Sequence, residues 1–134
     1  MSVEEAIEIF EADNASLAKK CQLLKKFGLS YLKLGQSTGE LSGGEAARVK
    51  MASCLMSADV KNTLFLLDEP TSGLHFSDID HLIASLYELI DSGNTVVAIE
   101  HNKRFLSAAD YTITLGPGAG DKGGYILQSL LKSS

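Results

Sequence analysis

Apolar positions along the chain change their spacing twice, and the changes divide it into three kinds of element. Val3, Ala6, Ile7 and Phe10 recur at helical spacing and predict a first helix over about 3–11. Asp13-Asn14 makes a turn and starts a second helix. Leu17, Cys21, Leu24 and Phe27 form its apolar stripe, and Gly28 closes it. A short apolar stretch, Leu29 to Leu34, and a loop, Gly35 to Gly39, follow. Leu41-Ser42-Gly43-Gly44-Glu45 then opens a helix reaching roughly Ser57. At Leu64 the pattern becomes continuous. Leu64-Phe65-Leu66-Leu67 has no polar partner face, which is the mark of a buried parallel strand. It ends in Asp68-Glu69-Pro70; the proline stops the strand and biases Glu69 towards an extended backbone.

Helical spacing returns after the loop Thr71-Ser72-Gly73-Leu74-His75. Ser77 is expected to cap a long helix, with Asp80 at the capping-box position and Ile79, Leu82, Ile83, Leu86 and Ile90 on one face. Ser92-Gly93-Asn94 ends it, and Thr95 to Ile99 is a second apolar, β-branched strand. Strand, helix and strand in this order form a βαβ unit with parallel strands. Asn102 to Ala108 is a short helix. Tyr111 to Leu115 and Tyr125 to Leu127 are strands of a hairpin around the glycine-rich segment Gly116 to Gly124. The expected architecture is therefore α/β: an N-terminal helical unit, a parallel βαβ core and a C-terminal β-hairpin. The expected division is 1–40, a helical segment, and 41–134, the part that carries chemistry.

Composition narrows the function classes. The 134 residues suit one domain or a piece of one. A net charge of −5 argues against the segment being a nucleic-acid surface by itself. Arg48, Lys50, Lys19, Lys20, Lys25 and Lys26 could still gather into a local basic patch, although a solvated helix face accounts for the lysines. No apolar run approaches the roughly 20 residues of a membrane-spanning helix. Met1-Ser2-Val3-Glu4-Glu5 lacks a signal-peptide pattern, and Cys21 and Cys54 have no partner at metal-ligand spacing. Free thiols of a reducing compartment, and hence the cytoplasm, are the expectation.

Two stretches carry candidate chemistry. Asp68 and Glu69 would lie at the carboxyl end of a buried strand, where open α/β sheets bind ligands. His101 follows the second parallel strand and would lie at the same edge. A strand ending in a solvated acidic turn, beside a structural histidine, would look the same locally. Ser42 and Glu45 have capping-box spacing, which explains them but leaves Gly43 and Gly44 unexplained. Two glycines cost helix stability, yet they let an anion approach the first-turn amides. Gly116-Pro117-Gly118-Ala119-Gly120 is not a phosphate loop, because no Lys-Ser/Thr and no helix follow it.

Taken together, Leu-Ser-Gly-Gly-Glu, an apolar strand ending Asp-Glu-Pro-Thr, Ser-Gly-Leu-His and Ile-Glu-His-Asn resemble the second half of an ABC-type ATPase domain, a partial P-loop NTPase. Further segments narrow the likeness: Leu41 to Lys50; His75, where most ABC proteins have aspartate; Tyr31-Leu32-Lys33-Leu34-Gly35-Gln36; and Leu115-Gly116-Pro117 with Gly120-Asp121-Lys122-Gly123-Gly124. They resemble the C-terminal ATPase module of the UvrA family of excinuclease components, damage-recognition ATPases of nucleotide excision repair. The likeness covers nearly the whole chain; Ala47, where glutamine is expected, departs from it.

The resemblance implies residue roles. Asp68 would hold Mg²⁺ and Glu69 would polarise the attacking water. His101 would contact the γ-phosphate of ATP. Ser42, Gly43 and Gly44 would contact the γ-phosphate of a nucleotide held by an opposite module, in the same chain or a second copy, and Glu45 would belong to the same nucleotide-binding segment. Ser72, Gly73 and Leu74 would lie along the interface between modules. It also implies zinc in the intact family member, though no zinc-binding cysteine cluster occurs in this chain. Damaged DNA and the excinuclease component UvrB are the implied partners, with no membrane. No Gly-x-x-x-x-Gly-Lys-Ser/Thr occurs in the sequence, so the chain reads as a fragment that neither hydrolyses ATP nor holds it tightly alone. Three other readings share some of these motifs: a UvrA-like drug-resistance paralogue, half of a chromosome-maintenance ATPase, and a non-catalytic interaction module. The second is disfavoured because no sustained heptad repeat precedes Leu41.

Overall fold

The computed structural model describes residues 1–57 and 60–132, in two compact units, Met1–His101 and Asn102–Ser134. The first begins with an antiparallel pair of helices, α1 (Val3–Asp13) and α2 (Ala15–Lys26). Each has a polar start. Ser2 and Glu5 form a reciprocal capping box on α1, and Asn14 Oδ1 accepts from the Leu17 amide on α2. Gly28 ends α2 with φ +69°. The positive φ favours glycine there, and a β-carbon, 2.5 Å from the Leu74 side chain, would also displace that side chain. Val3, Ala6, Phe27 and Leu29 are buried beneath this pair, and burial pushes the thiol of Cys21 up.

Helix α3 (Gly43–Met56) follows a single turn of 3-10 helix, Thr38–Glu40. Strand β1 (Leu64–Asp68), helix α4 (Phe76–Asp91) and strand β2 (Thr95–Ile99) are the expected βαβ unit, with β1 and β2 paired in parallel from Leu64 with Thr95 to Asp68 with Ile99. Asn94, nearly fully buried, sets that register. Its Oδ1 accepts from the Thr63 amide at 3.1 Å, and its Nδ2 donates to the carbonyls of Val60 at 3.0 Å and Leu89 at 2.8 Å. One side chain thus joins the start of both strands to the end of α4. Ile79, Leu82, Ile83, Leu86 and Leu89 form the buried stripe of α4, with Leu89 in the place expected for Ile90.

Three expectations are corrected here. His75, not Ser77, caps α4: its side chain accepts from the Ser77 amide, so Ser77 lies within the first turn rather than at the cap. Glu69 is not extended but left-handed, with φ +46°, because its amide continues the sheet to Ile99 while its carbonyl closes a turn onto the Ser72 amide. The strands are not buried on both faces. Leu67 is buried, whereas Leu66 is 72% exposed and Ile99 68% exposed. Alternate residues of a strand face opposite sides, and Leu64, Leu66, Val97 and Ile99 form an apolar face without cover.

The second unit holds α5 (Lys103–Ala108), capped by Asn102, and the antiparallel hairpin β3 (Tyr111–Gly116) and β4 (Tyr125–Leu131), whose register shifts between Thr114 and Leu115. A 3-10 turn, Gly120–Lys122, lies in the connection. Among the described residues no helix is long and apolar enough to cross a membrane.

An apolar sheet face of this kind promotes association. The 134 residues purified alone are expected to bind a hydrophobic dye and self-associate. Replacing Leu66→Lys together with Val97→Glu should reduce both without loss of helical circular dichroism. Unchanged dye binding in that variant would show that the face is covered.

Candidate functional site

Parallel pairing brings the candidate acids and histidine to one edge. The sheet runs one hydrogen bond past β1, from the Glu69 amide to the Ile99 carbonyl at 2.9 Å. Asp68 and Glu69 therefore lie beside Glu100 and His101, and His101 Nδ1 is 3.7 Å from Glu69 Oε1. Both of those side chains are more than half exposed, so they are accessible to a ligand.

Glu100, which has no evident task in the sequence, organises the edge. One of its carboxylate oxygens accepts from the Thr71 amide at 2.9 Å and from the Thr71 hydroxyl; the other accepts from the His101 amide at 2.9 Å. It thereby ties the loop after β1 to the end of β2. A polar residue one position past an apolar strand, opposite the acids in register, was the available signal.

The second cluster lies at the start of α3. The predicted capping box is present: the Glu45 amide donates to Ser42 Oγ at 3.2 Å and the Ser42 amide donates to Glu45 Oε2 at 2.7 Å. The other Glu45 oxygen accepts from the hydroxyl of Tyr31. The Tyr31 hydroxyl first, and the Ser42 amide second, hold the Glu45 carboxyl below its ordinary range. Burial, aided by the same bond, pushes the Tyr31 phenol up. With Ser42 and Glu45 engaged, the amides of Gly43 and Gly44 have no acceptor among the described residues. First-turn amides of this kind attract anions.

The two clusters meet through the loop after β1. A β-carbon on Gly44 would lie 2.9 Å from the Ser72 carbonyl oxygen, so glycine allows this approach. Gly73 follows with φ +72° and open space around it. Arg48 is not part of a basic surface patch but fully buried, its Nη1 donating to the carbonyls of Pro70 at 3.0 Å and Ser72 at 2.8 Å. The helical spacing of Gly44, Arg48, Met51 and Ala52, the buried positions of α3, was the missed signal.

Comparison with known proteins identifies the family and the fold. A family model described as ABC transporter matches residues 1–72, more than half of the chain. The chain belongs to the ABC transporter family. Among curated relatives, UvrABC system protein A from Xylella fastidiosa and from Pseudomonas aeruginosa are each 54% identical over 95% of the chain, and that from Thermus thermophilus is 50% identical over the same share. The crystal structure of UvrA2 from Deinococcus radiodurans superposes with a TM-score of 0.80 at 41% identity, over 96% of this chain and 16% of that one. The chain spans 13% of the length of those curated relatives. The partial ABC-type fold expected from the sequence is thus the observed one.

Tyr31→Phe tests the arrangement at α3. Losing one charge-assisted bond at a half-exposed position is worth about 1 kcal/mol, so exchange of the Ser42 and Glu45 amides should quicken about fivefold. The folded carboxyl titrates below its unfolded value near 4.5, so this protection is full above that pH and fades as pH falls through the lowered value. A difference between variant and parent that is undiminished in acid would assign it to the ring rather than to the ionised pair.

Proposed function

We propose that this chain supplies the signature and Walker B half of an ATP-hydrolysing ABC module in a nucleotide-excision-repair ATPase of the UvrA kind. The juxtaposition of Asp68, Glu69 and His101 at the carboxyl edge of a parallel sheet carries this reading. Phosphoryl transfer depends mainly on positioning and on neutralising charge. Asp68, the last residue of β1, is exposed at that edge and is the residue to hold Mg²⁺. Mg²⁺ is commonly bound by one or two carboxylates together with substrate phosphates, and a single exposed aspartate at the sheet edge suits that mode. A Mg²⁺ held by Asp68 would supply charge neutralisation for the transferred phosphoryl group.

Glu69 is the general base. Its backbone is left-handed just past the strand, and its side chain, more than half exposed, would be open to an attacking water. His101, 3.7 Å away, is placed to donate to a γ-phosphate oxygen. Ser42, Gly43 and Gly44 offer a hydroxyl and two unpartnered amides to the γ-phosphate of a nucleotide held by an opposite module, with Glu45 tied back by Tyr31 so that its charge does not face the phosphate. Ser72 and Gly73, in the loop that packs on the same helix, line the face between modules. That module belongs to the same chain or to a second copy, and damaged DNA and the excinuclease component UvrB are partners of the intact protein. The free thiols suit a cytoplasmic setting. The helices preceding the signature have 11 and 12 residues and pack on each other, which favours this reading over a chromosome-maintenance ATPase with its long coiled coil.

In the protein that carries this chain, Glu69→Gln should keep ATP binding while lowering kcat about 100-fold or more, as measured by steady-state phosphate release. Unchanged hydrolysis would remove Glu69 as the base. The 134 residues alone are expected neither to turn over ATP nor to bind it tightly, since no amide cradle or lysine for the phosphates occurs in them. Robust magnesium-dependent turnover by the purified chain would overturn that expectation.

A further inference from the structure

We propose that Arg48 is a positioning residue for hydrolysis: it clamps the turn Glu69–Ser72 to the signature helix, so that the base is in its working position only while the helix is seated. The inference rests on the reading of Glu69 as the base.

The turn has three fastenings. The Glu69 amide is held by the Ile99 carbonyl and the Thr71 amide by Glu100, both at the end of β2. The third is Arg48, on α3. Its single Nη1 bridges the carbonyls of Pro70 and Ser72, on either side of Thr71. These belong to the same turn that the Ser72 amide closes onto the Glu69 carbonyl at 2.9 Å. Glu69 has φ +46°, a conformation that a non-glycine residue keeps only when its surroundings impose it. A fastening lost next to such a residue should let it relax.

Packing alone does not account for Arg48. It is fully buried, yet its Nε and Nη2 have no hydrogen-bond partner among the described residues. Burial pulls the guanidinium down from its ordinary pKa, and Tyr31, Glu45 and Asp78 are the groups near enough to offset that effect. Burying a guanidinium with two of its nitrogens unpaired is costly. The position therefore carries a group poorly suited to packing and well suited to gripping two backbone carbonyls. Gly44, one turn earlier on α3, has its α-carbon against the same turn and against Arg48 Nη1. The helix end proposed to face a γ-phosphate and the turn that carries the base are thus one mechanical contact.

The test uses the intact protein with Arg48→Met, which keeps length and loses the donors, and Arg48→Lys, which keeps the charge without the planar fork. Each is made alone and with Glu69→Gln. Arg48→Met should lower kcat about 10- to 100-fold, as small misplacements of catalytic groups do, with KM within about twofold. Arg48→Lys should recover most of the loss. On the Glu69→Gln background Arg48→Met should cost nothing further, because two residues acting through one step are not additive. An undiminished kcat, a change confined to KM, or an equal loss on both backgrounds would overturn the proposal. If Arg48→Met does not fold, Arg48→Lys decides: a kcat loss of about threefold that is absent on the Glu69→Gln background supports the clamp, and parental kcat refutes it. Should Glu69→Gln hydrolyse ATP normally, the reading of the base fails and the clamp with it. Should Glu69→Gln be inactive and Arg48→Met fully active, only the clamp fails.

Discussion

The parallel register of two five-residue strands is the constraint on which the rest depends. Residues at the ends of β1 and β2 are far apart in sequence, and only the pairing of Asp68 with Ile99 brings them together. A slip of one residue would turn every side chain to the other face. It would bury Asp68 and expose Leu67, the one buried residue of β1. Asn94 guards against that slip at the opposite end, with three hydrogen bonds to two backbone segments, the lead into β1 and the end of α4. Its burial would be costly if any of those groups were left unpaired. The position of the acids thus depends on an amide at the far end of the sheet.

Beyond the last paired residue the backbone departs from regular structure, and there the candidate chemistry gathers. Glu69 is left-handed although a proline follows it, and Gly73 has positive φ a few residues later. Conformations of this kind are maintained by surrounding bonds rather than by local preference. Here the bonds come from Glu100 on one side and Arg48 on the other, while the capped start of α4 at His75 ends the loop. Precision at this edge therefore comes from three neighbouring elements, with little contribution from the loop sequence itself.

Elements with a clear local signal are legible in the sequence: both early helices by their apolar spacing, α3 by its capping box, and the βαβ unit and the hairpin by their apolar runs and turns. Features that depend on a distant partner are not. Pro70 correctly ends β1, but the general rule for residues before proline gives the wrong backbone for Glu69, because tertiary hydrogen bonds outweigh that bias. A continuous apolar run implies cover on both faces of the sheet, yet one face is open, and apolar content alone does not reveal which layers are present. Charge groups Arg48 with the exposed lysines, whereas its spacing from Gly44, Met51 and Ala52 places it on the buried stripe. Among the site residues, topology alone brings Asp68, Glu69 and His101 together, whereas the ties made by Glu100 and Tyr31 require side-chain geometry.

The start of α3 shows why a structural and a functional explanation of one motif need not compete. A capping box consumes two amides at a helix start, where the first turns leave several unpaired. Here those are the amides of Ser42 and Glu45. The two between them, on Gly43 and Gly44, remain, and neither carries a side chain that would stand between them and an anion. Glu45 would be a poor neighbour for such an anion if its carboxylate were mobile, but one oxygen is engaged by the Ser42 amide and the other by Tyr31. The box therefore does two things with one residue: it stabilises the helix end and withdraws a negative charge from the amides beside it. Substituting glutamine would remove the charge but weaken both bonds, and substituting alanine would free the Ser42 amide. A glutamate restrained on both oxygens is compatible with an anion site, and Tyr31, upstream of the helix, is the residue that completes that restraint.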